Sequence, residues 1–425
     1  MGESVTGTEG GGLAGVVKAV LLALPLAGLA APLFVKRLLA TTSSMQTPEA
    51  RVDGRARLIA SGTLLGLATG LSAAGLLVWL LPEGILAYLV SFAVAASIFA
   101  LLSLGLNVQW GYTGLFNIGI AGFFAVGAFT SALVTTAMPA GPLALYSQQL
   151  LGLKLPFIAG VGAAAAVSGL VAWLIGLPTL RLRDEYFAVA TIGIAEIVRL
   201  VFQNERWLAN GPQPLRGIPR PLYCLVEDPP CAWLPPPLAA AARLLEPRDY
   251  PYVYLVIVTL FVAAAYLATE RAIRSPWGRV LRAIREEEAA AAMSGKDVAA
   301  FKMQALVVGA MIMGVGGALY AHYLASIDYS HFTPLYGTFL IWVMLMLGGS
   351  GNNRGAILGA FVIWGVWTGT AFLTDRLGPT LAAISPQLPA RAPYLRYLVI
   401  ALILELILLF RPQGLLGEER RVSAF

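Results

Sequence analysis

A chain of 425 residues with 58% hydrophobic residues, 12% charged residues and a mean hydropathy of +0.75 is unlike a soluble domain, which carries about twice that share of charge. The composition points to an all-α, polytopic integral membrane protein. The formal charge of +6 calls for no nucleic acid, because excess Lys and Arg in a membrane protein marks its cytoplasmic loops.

Met1–Gly12 is polar and glycine-rich and reads as a disordered tail. Residues 13–35 form a first apolar run, with Lys18 close enough to its end to snorkel. No small-residue cleavage site follows a short apolar core, so the run reads as an anchor and not a removed signal peptide. A polar loop covers 36–57. Further spans are expected at 58–81, 85–106, 115–138, 156–177 and 186–202. After a long polar loop they resume at 252–269, 299–320, 335–347, 356–373 and 394–410. About ten to eleven transmembrane helices result, some broken or re-entrant, because several runs fall short of the roughly 20 residues a crossing helix needs. The division is an N-terminal part, 1–57, and a transmembrane domain, 58–425.

The basic residues orient these spans. Loops that fall on one side hold 18 Lys and Arg, and those on the other hold 8, five of them in the long loop 203–251. The richer side is cytoplasmic, which places the N-terminus outside and the C-terminus inside. The outer loop 203–251 holds Cys224 and Cys231, either as a small disulfide or as two free thiols. His322 and His331 lie apart from them, near another outer boundary, so no metal site is expected.

Between 107 and 129 the sequence NVQWGYTGLFNIGIAGFFAVGAF sets Asn107, Gln109, Thr113 and Asn117 among glycines at 111, 114, 119, 122 and 127. Irregular polar backbone is tolerated at membrane depth only where protein or a water-filled path covers it. The expected feature is a broken helix lining a route for cargo, with simple close packing through glycine as the alternative. Asn117, between Phe116 and Gly119, would meet a zwitterionic or amide cargo, Tyr112 and Phe116 would form apolar walls, and Asn107 and Gly119 would belong to the same route. Farther on, Glu196 and Arg199 stand three apart on a span. They either serve the route or neutralise each other as a structural pair. Glu405, near the inner end of the last span, either snorkels or meets a neighbouring helix.

The longest strongly charged run is SPWGRVLRAIREEEAAAAMSGKD, Ser275–Asp297, within a loop at 270–302. Ser275 suits an N-cap, Pro276 the first helical position and Gly295 the C-terminal stop. Trp277, Val280, Leu281, Ile284, Glu288 and Ala291 recur at helical spacing. One amphipathic helix is therefore expected, either gripped by a soluble partner or merely solvated.

This run and the FKMQALVVGAMIMGVGGALYAHY that follows, together with GYTGLFNIGIAGFFAVGAFT, ATIGIAEIVRLV and LGGSGNNRGAILGA, resemble the LivM-type permease subunits of branched-chain amino acid ABC importers. The resemblance spans residues 101–415. It implies that 275–297 couples to an ATPase through Trp277, Arg282, Arg285, Glu288, Ala290, Ala291 and Gly295. It also implies a second permease chain as a heterodimer partner, two ABC ATPase subunits, an external substrate-binding protein and a bacterial cytoplasmic (inner) membrane location. The chain itself would hold no cofactor and be no enzyme, since no GxxxxGK[ST] phosphate loop occurs; ATP would be used by the partner subunits. One departure stands out. Where the family carries Thr-Gly-Gly after the Glu196 span, this chain has Ala209–Asn210–Gly211–Pro212, although the LRGIP stretch that follows does match. A urea or short-chain amide permease of the same architecture is the nearest alternative. An ion-coupled secondary transporter is a more distant one, having no use for a docking helix.

Overall fold

Long apolar runs bounded by proline, glycine or charge become helices in the computed structural model, which describes residues 18–22, 83–139, 148–227, 245–385 and 391–417 and isolated positions between them. The helices are α1 (Glu83–Leu106), α2 (Ile120–Thr135), α3 (Phe157–Thr179), α4 (Asp184–Asn204), α5 (Tyr250–Arg274), α6 (Pro276–Glu286), α7 (Glu288–Met293), α8 (Val298–Leu324), α9 (Leu340–Gly348), α10 (Asn353–Ile384) and α11 (Leu395–Phe410). Each span expected from 85 onward coincides with one of these helices. The expected span at 58–81, and all but 18–22 of that at 13–35, lie outside the described residues.

Among the described residues, Gly84–Gly111, Phe157–Thr179, Pro247–Arg274 and Val298–Leu324 are long and apolar enough to cross a membrane. The chain is thus an all-α, multi-pass membrane protein. α2 is shorter. Its 16 residues reach about 24 Å at 1.5 Å per residue, less than a hydrocarbon core of ~30 Å.

The described residues divide into two compact units, one from Met1–Val94 and Pro221–Ala263, the other from Ala95–Arg220 and Ala264–Phe425. In the first, Lys18 does not snorkel. It is 8% exposed and pairs with the buried Asp249 carboxylate, Nζ to Oδ1 at 3.1 Å, because a buried ammonium needs a counter-charge more than an apolar neighbour. Tyr250 OH donates to the Pro221 carbonyl at 3.1 Å, and Cys224 and Cys231 are joined in a disulfide.

In the second unit α2 is the centre. It is apolar on all sides, and every residue except Thr130 is buried, as an all-round apolar helix requires. α8, α3 and α4 pack around it. α8 also meets α1 backbone to backbone. A Cβ placed on Gly105 would stand 2.7 Å from the Gly309 carbonyl oxygen, and one on Gly309 would stand 2.6 Å from that of Gly105. Glycine at both positions is what allows this approach.

One end of this unit is closed by a short ribbon. β1 (Leu215–Arg216) pairs antiparallel with β2 (Ser326–Ile327), and His322 beneath it is bonded to Ser131 Oγ at 2.9 Å and to the Pro219 carbonyl at 2.6 Å. On α11, Glu405 is exposed in the single chain.

The glycine contact yields a direct expectation. Gly309→Val overpacks the α1–α8 crossing and lowers stability by about 1–3 kcal/mol, read as a lower unfolding temperature of the purified chain. Gly193→Ala, where an added Cβ meets nothing within 4 Å, stays within ~1 kcal/mol of the parent.

Candidate functional site

Asn107, Gln109 and Thr113 interrupt the apolar run that forms α1, and the backbone responds there. Asn107–Gly111 widens into one π-helical turn, and 112–119 leaves the helix before α2 begins at Ile120. Gly114 sits at φ +79°, a left-handed conformation that glycine adopts without penalty. Wide turns of this kind cluster at functional sites.

Side chains from distant parts of the chain close this break. Asn107 Nδ2 donates to Asn353 Oδ1 at 3.0 Å, and the Gly351 amide donates to Asn107 Oδ1 at 2.8 Å. Asn353 in turn donates to Glu270 Oε2 at 3.1 Å. Gln109 donates to the Leu306 carbonyl on α8 at 2.8 Å and accepts from Asn117 Nδ2 at 2.7 Å. Asn117 Oδ1 accepts from the Gly119 amide at 2.7 Å. The amides of Ile118 and Ala121 donate to Thr191 Oγ1 and Thr338 Oγ1, at 3.1 and 3.2 Å. Trp342 Nε1 donates to the Asn117 carbonyl at 3.1 Å, and its ring packs on Trp110 at 4.7 Å and Phe116 at 4.8 Å. The segment is thereby fastened to α4, α8, the 335–348 stretch and the start of α10.

The expected route residues do not gather at one place. Asn107, Asn117 and Tyr112 are buried, and both ends of the Asn117 amide are held within the chain. Phe116 is 38% exposed. Gly119 lines a shallow apolar cleft between α2, α3 and α4 with Gly122, Phe123, Ile175, Ala195 and Val198. Glu196 is not part of that cleft. It pairs with Arg199, whose Nε reaches its two carboxylate oxygens at 3.0 and 2.9 Å, and the guanidinium lies 5.8 Å from the Tyr329 ring.

The charged run 275–297 is two helices and not the single one expected. Glu287 takes an extended backbone (φ −154°, ψ 101°) between α6 and α7. The physical reason lies in register. Leu281 and Ile284 are buried, so an unbroken helix would carry Glu288 onto the same buried face four residues on. The break turns Glu288 outward to an ion pair with Lys302 at 2.6 Å, while Ala291 still reaches the buried side. Ser275 does not cap α6 either, since its hydroxyl donates back to the Ala272 carbonyl at 2.6 Å. Gly295 has φ +78° and ends α7. Trp277 Nε1 donates to Gln304 Oε1 at 2.8 Å, and Arg282 reaches the Ile273 carbonyl at 3.4 Å. Arg285 turns toward the broken segment and donates to the Gly111 carbonyl. Ala290 and Met293 are exposed, Met293 to 86%.

Sequence reasoning missed Thr191, Glu270, Thr338, Trp342 and Asn353 as members of this assembly. The visible signal was Asn352–Asn353, two amides between glycines within an otherwise apolar stretch.

Residues 88–408 match the family described as the branched-chain amino acid transport system permease component. The high-affinity branched-chain amino acid transport system permease protein LivM of Escherichia coli (strain K12) is 29% identical over 344 residues, covering 78% of this chain and 70% of its own length. The probable branched-chain amino acid transport permease protein LivM of Methanocaldococcus jannaschii is 26% identical over 344 residues, covering 76% of this chain and 91% of its own. The guanosine ABC transporter permease protein NupQ of Bacillus subtilis is 25% identical over 284 residues, covering 67% of this chain and 81% of its own. No solved structure matches. The match over most of the chain, on a bundle of apolar helices around a broken one, establishes the family: this chain belongs to the permease components of branched-chain amino acid ABC transport systems, and it is a membrane subunit and not an enzyme.

Proposed function

We propose that this chain forms one half of the passage of an ATP-driven importer of branched-chain amino acids, with a second permease chain as the other half. Two ABC ATPase subunits dock at 275–297, and an external binding protein delivers the cargo. The observation that carries this reading is the form of 275–297. α6 and α7 bury Leu281, Ile284 and Ala291 against the bundle, while Glu288, Ala290 and Met293 face outward. An exposed methionine beside small residues and an acidic side chain is an unusual outer surface for a solvated loop and a good one for packing against a soluble partner.

The rest of the assignment follows from cost. The Glu196–Arg199 pair is only partly covered, with side-chain exposures of 36% and 17%, on a helix whose neighbours Val189 and Ile197 are exposed. Charged groups avoid hydrocarbon and face protein or water, so this face of α4 is assigned to the passage and the second permease chain. Asn117 meets cargo only when its bonds to Gln109 and Gly119 open. The excess of Lys and Arg in the loops that include 270–302 assigns α6 and α7 to the cytoplasmic side of a bacterial inner membrane. A nucleoside cargo is the second reading, favoured by the similarity to the guanosine permease.

Labelled leucine uptake, in a strain lacking its own system and supplied with the assembled transporter, tests the cargo. Uptake is expected to need ATP and to fall when isoleucine or valine is added in excess, with no effect of urea or guanosine. Competition by guanosine or urea and none by isoleucine overturns the amino acid assignment.

Docking is tested by Glu288→Lys and Met293→Glu. Both variants are expected to stay in the membrane, lose the ATPase on purification and lose at least ten-fold in uptake; retention of the ATPase by both would remove 275–297 as its seat. Orientation has its own check. After mild reduction, an impermeant thiol reagent should label Cys224 and Cys231 on intact cells, and labelling only after permeabilisation would reverse the topology.

A further inference from the structure

The carbonyls that end α1 and its π turn are satisfied one by one. Asn107 O accepts from the Tyr112 amide at 3.0 Å, Gln109 O from the Leu115 amide at 2.9 Å and Trp110 O from the Gly114 amide at 2.9 Å. Val108 O accepts from Thr113 Oγ1 at 3.0 Å. All four donors belong to the residues that immediately follow. The fifth carbonyl, that of Gly111, is met by Arg285 from 174 positions away.

Arg285 is also pressed against the turn itself. A Cβ on Gly114 would stand 3.2 Å from Arg285 Cγ and 3.6 Å from its Cα. Gly114 therefore serves two ends: it takes the left-handed backbone that closes the turn, and it leaves room for α6 to lie on it. The three arginines of α6 point three ways. Arg279 is exposed, Arg282 folds back toward the end of α5, and Arg285 enters the broken segment.

A helix C-terminus carries partial negative charge, and a guanidinium is cationic at every relevant pH and holds its donors in a fixed fork. An unmet carbonyl in a buried turn is costly, and Gly111 is buried, so Arg285, held by α6, supports the turn at 112–119 from outside while the side-chain bonds of Gln109 and Asn117 hold it from within.

We infer that Arg285 is a positioning residue that passes movement of α6–α7 directly to the broken segment at 107–119. When α6 shifts, Arg285 leaves the Gly111 carbonyl, the closing turn loses its external support, and the Asn117–Gln109 contact behind it is free to open. When α6 returns, the same bond restores the closed turn. The inference rests on the ATP-driven reading above for the source of the movement, but the link between the two segments stands on this chain alone.

The test uses Arg285→Gln, with Arg285→Lys to keep the charge if the glutamine variant folds poorly and Arg279→Gln as an exposed control. Amide hydrogen exchange is measured first on the purified full chain in lipid discs. Arg285→Gln is expected to speed exchange at Tyr112–Gly119 at least ten-fold, leaving α8 unchanged, with partial recovery in Arg285→Lys and no change in Arg279→Gln. In the assembled transporter, Arg285→Gln is expected to cut leucine uptake at least ten-fold while the ATPase still co-purifies. Unchanged exchange at 112–119, or equal acceleration throughout the chain with no recovery in the lysine variant, overturns the proposal. So does loss of the ATPase in step with uptake, which would make Arg285 a docking contact. Absence of any uptake by the parent transporter would count against the import reading instead, while the exchange result would still decide the role of Arg285.

Discussion

Backbone that leaves a helix inside an apolar bundle has no water to satisfy it, so the protein must supply every partner. The polar contacts around the break in the second unit answer this single constraint. The π turn that follows α1 ends within the bundle at Gly111, α2 starts anew at Ile120, and the residues between are bonded by Gln109, Asn117, Thr191, Thr338 and Trp342. The Gln109–Asn117 bond closes the break on itself, and the bonds from Thr191, Thr338 and Trp342 tie it to α4 and to the 335–348 stretch. The segment therefore cannot move without disturbing the helices around it, and movement of those helices bears on it in turn.

The glycines of α8 make this arrangement possible. Because Gly105 and Gly309 let α1 and α8 touch through their backbones, Gln109 lies near enough to donate to the Leu306 carbonyl. Close packing and polar closure are thus one construction: the same helix contact that fills space also delivers the acceptor. Under the import reading proposed above, a binding protein selects the cargo first, and the passage needs no deep well. A segment closed by neutral amides and hydroxyls, opening briefly, suits that task better than buried charge.

Much of this was legible in the sequence because apolar runs of helical length, ended by proline, glycine or charge, leave few alternatives. The break at 107–119 was legible too, since Asn, Gln and Thr among glycines do not belong in a plain membrane helix. Its partners were not. Asn353 and Trp342 lie more than 220 positions from the residues they meet, and hydrogen bonds between remote elements leave no local pattern. The run 275–297 reads as one helix because its apolar positions keep helical spacing. What the spacing hides is the cost of carrying Glu288 onto the buried face, which an extended Glu287 removes. Lys18 was misread for a related reason: a lone lysine near the end of an apolar run suggests snorkelling, and only the fold reveals Asp249 beside it.

The central claim is that the broken segment is held shut by its own side-chain bonds, with Gln109 and Asn117 as the joint. A double-mutant cycle measures this directly, comparing Gln109→Leu, Asn117→Leu and the pair in thermal unfolding of the purified chain. The account predicts coupling of about 0.6 kcal/mol or more between the two positions, the average found for side-chain bonds in membrane helix bundles, with about 1.7 as the upper bound. Additive losses, with no coupling beyond error, would mean that the two amides act independently and that packing alone shapes the break.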